Sequence, residues 1–298
     1  MSVFPLLRKG KTKKRRANHM RIGLSSSLKH DTPSQWAEKM KGLGCGAVVF
    51  PVDYTAPEEL IEAYAGAAKK AGLVIAEVGA WCNPVAPAET ERRAAMERCI
   101  GQLKLADKIG ANCCVNIAGS TGSRWDGAYK ENFSEEHWEK TVKSIQEIID
   151  AAAPVNTYYT IEPMPWMVPK DPEEYERLIA AVDRERFAVH MDLANWITSP
   201  EKYFNNEDFM EKCFDKLGSH IKSCHIKDVC LQAEFTFQLK ETACGEGILN
   251  LEKYARLADR VNPQMPMIIE HLHSDDEYLE SIAYLKARLE KAGIRMCN

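Results

Sequence analysis

The chain has 298 residues, of which 45% are hydrophobic and 28% charged, with a formal net charge of −4. This balance is that of a folded globular protein with a sizeable core. No apolar run approaches the roughly 18 residues of a membrane helix, and the start of the chain lacks the apolar stretch of a secretory signal.

The charge is unevenly placed. Arg8, Lys9, Lys11, Lys13, Lys14, Arg15 and Arg16 form a basic segment without an acid, so the rest of the chain carries −11. An acidic body argues against a nucleic-acid partner. Residues 1–19 read as a basic, disordered extension, with a nucleic-acid arm or a localisation tag as alternatives. The folded domain is expected over residues 20–298. The ten cysteines include the adjacent Cys113 and Cys114 and no C-x-x-C spacing. Reduced thiols in a cytoplasmic protein are therefore expected, and a cysteine zinc site is not.

Eight strand-like runs follow, at 21–25, 47–51, 74–79, 113–117, 158–162, 188–192, 222–225 and 267–270. Most are continuous apolar runs, as in parallel strands buried on both faces. Amphipathic stretches separate them, and their starts carry helix signals. Thr32-Pro33-Ser34 opens the first and Gly42/Gly44 closes it. Ala56-Pro57-Glu58 and Pro87-Ala88-Glu89 open the second and third, which end at Gly72 and Gly110. Ser134, Asp171, Ser199, Asn250 and Ser274 precede the rest. Proline fits the first helical turn because its missing N–H has no partner there. Eight βα units predict an α/β fold, a single (β/α)8 TIM barrel. The alternative, an open doubly wound sheet, would place a glycine-rich phosphate loop after the first strand, where Leu24-Ser25-Ser26-Ser27 stands.

In a barrel the active site lies at the C-terminal rim of the strands. Strands five to eight end in Glu162, Asp192, His225 and Glu270. One acid at a strand tip is ordinarily a cap or loop partner. Four compatible ligands on successive strands predict a ring for one divalent cation: three carboxylates and an imidazole suit Mn²⁺, with Co²⁺, Mg²⁺ and Zn²⁺ as alternatives. Lys227, two residues after His225, should face the same side. It is read either as a substrate contact or as an ion pair with a rim acid such as Asp228. Trp81, Asn116, Trp166 and Asn195 also fall at strand ends and are candidate substrate contacts. For each tryptophan, packing of loop on barrel is the alternative. Gly245-Glu246-Gly247 reads as a turn, His190 as a supporting residue one layer down, His271 as a loop hydrogen-bonder, and His137 as part of a solvent-facing helix start.

The segments Ile161-Glu162-Pro163, His190-Met191-Asp192, Cys224-His225-Ile226-Lys227-Asp228 and Ile269-Glu270-His271 resemble the xylose-isomerase-like superfamily, in its branch of sugar epimerases and isomerases. The resemblance covers about residues 20–294. It implies that Glu162, Asp192, His225 and Glu270 hold the metal. It also implies that Glu162 and Glu270 remove and return a proton next to a carbonyl through an enediolate. A homodimer or homotetramer and a small carbohydrate substrate follow from the same resemblance. Asn195 stands where ketose 3-epimerases carry His, and Leu231 where they carry a substrate-binding Arg. These departures leave open a lyase or dehydratase acting on inosose or 3-keto-glycoside substrates, and a non-catalytic sugar-binding barrel. Asn195 and the lack of a histidine between His225 and His271 also speak against the three-zinc site of apurinic endonucleases.

Overall fold

The computed structural model describes residues 19–297. The basic segment from Arg8 to Arg16 lies outside the described residues. In chain order the elements are β1 (Arg21–Leu24), α1 (Pro33–Gly42), β2 (Ala47–Val49), α2 (Glu58–Ala71), β3 (Val74–Gly79), α3 (Glu89–Ile109), β4 (Cys113–Asn116) and α4 (Glu135–Ala152). They continue with β5 (Tyr158–Ile161), α5 (Pro172–Val182), β6 (Phe187–Asp192), α6 (Pro200–Phe204), α7 (Asn206–Leu217) and β7 (Ile221–Ile226). The chain then runs through β8 (Asp228–Leu231), β9 (Leu239–Thr242), α8 (Leu251–Val261), β10 (Pro266–Ile269) and α9 (Asp275–Lys291).

Eight strands form one parallel sheet in the order β1-β10-β7-β6-β5-β4-β3-β2. The Gly46 N–H, just before β2, donates to the Ile22 carbonyl of β1 at 2.8 Å and brings the two ends of the order together. The architecture is a (β/α)8 barrel, as expected. Gly23 shows why the β1–β2 seam needs glycine. A Cβ there would lie 2.4 Å from the Ala47 carbonyl oxygen and 2.7 Å from Ile268 Cδ1.

The helix starts follow the sequence signals. Thr32, Ser134, Asp171, Ser199, Asn250 and Ser274 each accept a backbone N–H of the first turn through the side chain. Gly72 and Gly110 end α2 and α3 in the left-handed conformation. Buried apolar residues of strands and helices form one large core, in which Trp36, Leu103, Tyr159, Tyr175, Trp196 and Tyr254 are among the bulkier members, and a small separate cluster of Ala47, Ala76 and Ile268. The ten cysteines are free thiols. No helix among the described residues is long and apolar enough to cross a membrane.

Three features depart from the expectations. The helical stretch after Ser199 is broken at Asn205 into α6 and α7. A hairpin, β8–β9, follows β7, where no strand was predicted. Its strands are short and only Val229 of them is a buried apolar residue: Leu231 is exposed, as is Phe237 in the turn, and Phe235 there fully so. It therefore lacks the buried run by which the barrel strands were recognised. Asp228 anchors it, accepting the N–H groups of Val229, Leu249 and Gly245 at 2.9, 2.9 and 3.1 Å. Gly247 is needed beside this anchor, because a Cβ there would lie 2.2 Å from Asp228 Oδ1. Third, His137 is not solvent-facing but buried, with neither ring nitrogen hydrogen-bonded. It stands four, seven and eight residues before the buried Thr141, Ser144 and Ile145, so the helical period puts its side chain on the packed side of α4.

Candidate active site

Strands β5, β6, β7 and β10 are consecutive around the barrel, in the order β10-β7-β6-β5. Glu162 directly follows β5, Asp192 ends β6, His225 lies near the end of β7, and Glu270 directly follows β10. All four are buried, and one ligand atom of each lies within 4.8 Å of the others. Glu162 and Glu270 stand at the two ends of this arc. His225 Nδ1 sits between them, 3.1 Å from Glu162 Oε1 and 2.8 Å from Glu270 Oε2.

The other nitrogen of His225 is tied down from across the barrel. Nε2 lies 3.2 Å from Glu77 Oε2. Glu77 is on β3, well away from β7 in the sheet order, so the contact crosses the barrel interior. The second oxygen of Glu77 is 3.0 Å from His190 Nε2 and accepts the Ser223 hydroxyl at 2.6 Å. The His190 and His225 rings meet edge to face with centroids 4.1 Å apart. Burial alone would raise the Glu77 pKa, but His225 and His190 hold it well below the usual carboxylate range. Burial opposes the charged form of His225 too, yet Glu270, Glu77 and Glu162 push its pKa well above the ordinary value. This carboxylate–imidazole contact fixes the ring and leaves Nδ1 facing the acids.

Lys227 is the second cation of the site. Its ammonium lies 2.8 Å from Asp192 Oδ2, 2.8 Å from Glu270 Oε1 and 3.2 Å from Glu241 Oε1 of the hairpin. Burial resists its charge, but Asp192, Glu270 and Glu241 hold it protonated far above its usual range. Asp228, the expected partner, is instead spent on anchoring the hairpin. Glu241 also bonds His271 Nδ1 at 2.9 Å and so fastens β9 to the loop after β10. Burial would raise the Glu270 pKa, but His225 and Lys227 keep it well below the carboxylate norm. Asp192 goes the other way. Burial pushes its pKa up to about 8, with Lys227 opposing and Glu270 and Glu162 reinforcing the rise.

The ring suits a divalent cation. Its donors are three carboxylates and an imidazole nitrogen, a set matched to hard and borderline metals. Asp192 Oδ2 makes no directed hydrogen bond despite its burial and its nearness to Lys227. Like charges converge on one point, where a dication would offset them. Glu77, His190 and His225 form a second cluster of ligand type. Both oxygens of that single carboxylate are already engaged, so the cluster acts as a support for the ring.

The structure distributes the other candidates unevenly. Asn195 is buried beside the ring: its Nδ2 donates to Glu162 Oε1 at 3.2 Å and to the Pro163 carbonyl at 3.0 Å. Its backbone N–H meets Asp192 Oδ1 at 3.2 Å. Trp81 is 38% exposed and stacks over His225 with centroids 6.3 Å apart and planes 28° from parallel, so it roofs the site. Its φ of 41° is unusual for a bulky residue. Trp166 is half-buried and donates its Nε1–H to the Asp126 carbonyl at 2.7 Å, which makes it part of the rim wall. Asn116 is fully buried, with Oδ1 accepting the Cys82 N–H at 3.1 Å and Nδ2 directed at Cys99 and Tyr159. It is not brought to the ring.

Glu77 and Glu241 were missed by sequence reasoning. A signal existed for Glu77, a lone charge inside the apolar run Ile75-Ala76-Glu77-Val78. Glu241 had none, because its place depends on the hairpin.

A family model described as "Xylose isomerase-like TIM barrel" matches residues 37–288. No curated protein matches the sequence significantly. Among solved structures, endonuclease IV from Thermus thermophilus superposes with a TM-score of 0.71 at 15% identity, over 91% of this chain and 99% of that one. D-psicose 3-epimerase from Clostridium cellulolyticum, solved with D-tagatose, gives 0.68 at 13% identity over 93% and 100%. A xylose isomerase domain protein from Planctomyces limnophilus gives 0.66 at 18% identity over 92% and 96%. At these identities the structural likeness establishes the fold alone.

Proposed function

The chain belongs to the xylose isomerase-like TIM-barrel family, and from that premise we propose a divalent-metal-dependent sugar isomerase or epimerase. Its substrate would be a small polyhydroxylated carbonyl compound. The observation that carries this reading is the pair Glu162 and Glu270, buried at opposite ends of one arc of ligands. Glu162, Asp192, His225 and Glu270 would hold the cation, with Mn²⁺ the first choice and Co²⁺, Mg²⁺ or Zn²⁺ as alternatives. A cation bound there would polarise a substrate carbonyl and offset the negative charge that develops on it.

The side chains then divide the proton work. One glutamate takes the proton next to the carbonyl and gives an enediolate; the other, having taken up a proton from solvent, delivers it from its own side, and the first releases its proton to solvent to close the cycle. Return to the same carbon on the opposite face epimerises, and return to the neighbouring carbon isomerises. Asn195 holds Glu162 in place through Oε1. His225 and Lys227 keep Glu270 ionised, as a base must be, and the Lys227 ammonium, 2.8 Å from Glu270 Oε1, would donate to a substrate oxygen bound beside it. Trp81 covers the ring and limits water. The domain that does this is residues 20–298, with 1–19 a basic extension outside the chemistry. A homodimer or homotetramer in the cytoplasm, without nucleic-acid or membrane partners, completes the proposal.

One observation favours a second reading. Lys227 is a buried ammonium 2.8 Å from Glu270, and its fixed positive charge would stabilise the negative charge on a departing oxygen by hydrogen bonding. The same enediolate would then lose a β-substituent, making the protein a lyase or dehydratase on inosose or 3-keto-glycoside substrates.

The test pairs metal content, with Mn²⁺ and Co²⁺ add-back, with solvent deuterium exchange into keto-sugars and 3-keto-glycosides. Glu162→Gln and Glu270→Gln are each expected to slow exchange by about 10²–10⁴-fold while the fold persists. Wild-type exchange in either variant removes that residue from the acid–base pair. Tight sugar binding by the metal-loaded wild type without exchange makes the protein a binding barrel instead.

A further inference from the structure

A second reactive arrangement lies beside the ring and takes no part in it. Cys82, in the turn after β3, and Cys99, in α3, place their sulfurs 3.4 Å apart. Residues from two further strands surround them. Asn116 Nδ2 of β4 lies 3.4 Å from Cys99 Sγ and 3.9 Å from Cys82 Sγ, and the Tyr159 hydroxyl of β5 is 3.5 Å from Cys99 Sγ. The two thiols differ in access. Cys82 lines a surface cleft of about 400 Å³ together with Trp81, Asn83, Arg98 and Trp125. Cys99 is fully buried behind it.

We propose that Cys82 and Cys99 form an oxidisable thiol pair, with Cys82 the sulfur attacked from solvent and Cys99 the resolving sulfur. The oxidant class is a peroxide. The Cys82 thiolate attacks one peroxide oxygen; an S–O bond forms, the O–O bond breaks, and the leaving hydroxide takes a proton to become water. Cys99 sulfur then attacks Cys82 sulfur. The S–O bond breaks, and the hydroxyl group leaves as water with the Cys99 proton. Two thiols lose two hydrogens and hydrogen peroxide becomes two waters.

The environments of the two sulfurs support these roles. The hydrogen bond from Cys99 draws the Cys82 pKa below the ordinary thiol value against the effect of burial, and Arg98 and Asn116 add to it. The same contact, with burial, drives the Cys99 pKa well up. A low-pKa thiol in a cleft with a second thiol behind it is the arrangement of a redox-responsive pair. A disulfide bond of about 2.05 Å requires the sulfurs to close by about 1.4 Å. The neighbouring residue is Trp81, which roofs His225, and the next one, Asn83, holds the Ser120 loop through its Nδ2 at 2.8 Å. Closing the bond draws this turn toward α3 and shifts Trp81 relative to His225, on which it stacks.

The experiment treats the full chain with graded hydrogen peroxide, alkylates the remaining thiols under denaturing conditions, and maps the peptides. Cys82 is expected to be consumed at least about tenfold faster than the half-buried Cys230 and Cys297. The product should be a Cys82–Cys99 cross-link that dithiothreitol reverses. In Cys99→Ser, Cys82 should stop at a sulfenic acid that dimedone traps. Intrinsic tryptophan fluorescence should change reversibly in wild type and not in Cys82→Ser. Oxidation of Cys230 or Cys297 ahead of Cys82, or oxidation of Cys82 to sulfinic acid without a cross-link, overturns the pair. A cross-link that leaves the fluorescence unchanged overturns the link to Trp81. None of these readouts depends on the proposed activity.

Discussion

Glu77→Gln tests whether the ring depends on its buried support. The substitution keeps shape and removes one charge. In the native site the carboxylate accepts from Ser223 at 2.6 Å and meets His190 and His225 at 3.0 and 3.2 Å. A glutamine oxygen can still accept from Ser223 and His190, but its NH₂ then faces the His225 Nε2–H, donor against donor. One charge-assisted hydrogen bond is lost, worth about 1.5–3 kcal/mol. His225 must either carry its proton on Nδ1, which removes the lone pair a metal needs, or turn its ring so that Nδ1 no longer faces Glu162 and Glu270. Loss of such a partner typically costs about 10–100-fold in metal affinity. The assay is competition for Mn²⁺ or Co²⁺ against a chromogenic chelator, run beside urea unfolding of the metal-free protein. Native far-UV circular dichroism with affinity lowered by that factor is the expected result. Affinity within twofold of wild type in a folded variant refutes the claim that Glu77 sets the His225 geometry.

Lys227→Met should expose the cost of the converging acids. Removing the ammonium leaves Asp192, Glu270 and Glu241 without it, and a broken buried pair costs about 3–5 kcal/mol. The metal-free variant should melt well below wild type and regain more on Mn²⁺ addition than wild type does; an unchanged melting temperature would contradict the burial of this cluster. His137 predicts a pH dependence. Burial holds its folded pKa near about 4 against 6.5, so between these values the unfolded chain binds the proton and the folded chain does not. Stability is unaffected above pH 6.5 and falls as pH drops toward 4, by at most about 3 kcal/mol from this group. Urea unfolding of wild type and His137→Leu at pH 7.5 and 5 checks it, and equal acid sensitivity in both would dismiss the effect. Gly23→Ala should destabilise by about 1–3 kcal/mol, because its methyl meets the Ala47 carbonyl oxygen, a backbone atom that cannot swing away. A neutral result in urea unfolding would mean that the β1–β2 seam relaxes.

The sequence by itself determined the order of the barrel and the residues of the ring. Local rules suffice for that. A strand buried on both faces must read as a short apolar run, and Thr32, Asp171 and Ser274 mark helix starts because their side chains satisfy N–H groups of their own first turn. Glu162, Asp192, His225 and Glu270 were legible because each follows such a run, and the rim of a barrel gathers strand ends. The support beneath the ring was not legible. Glu77 reaches His225 only because the sheet closes, which brings β3 opposite β7 across the interior. Glu241 reaches Lys227 only because Asp228 anchors a hairpin with no buried apolar run. The same holds for Lys227 itself, whose facing was predictable but whose partners were not. His137 likewise looked solvent-facing by its acidic neighbours, and the packing of α4 buried it. Period and capping are properties of neighbouring residues, whereas the charge state of a buried group is set by residues distant in the chain, which only the closed barrel brings within hydrogen-bonding distance.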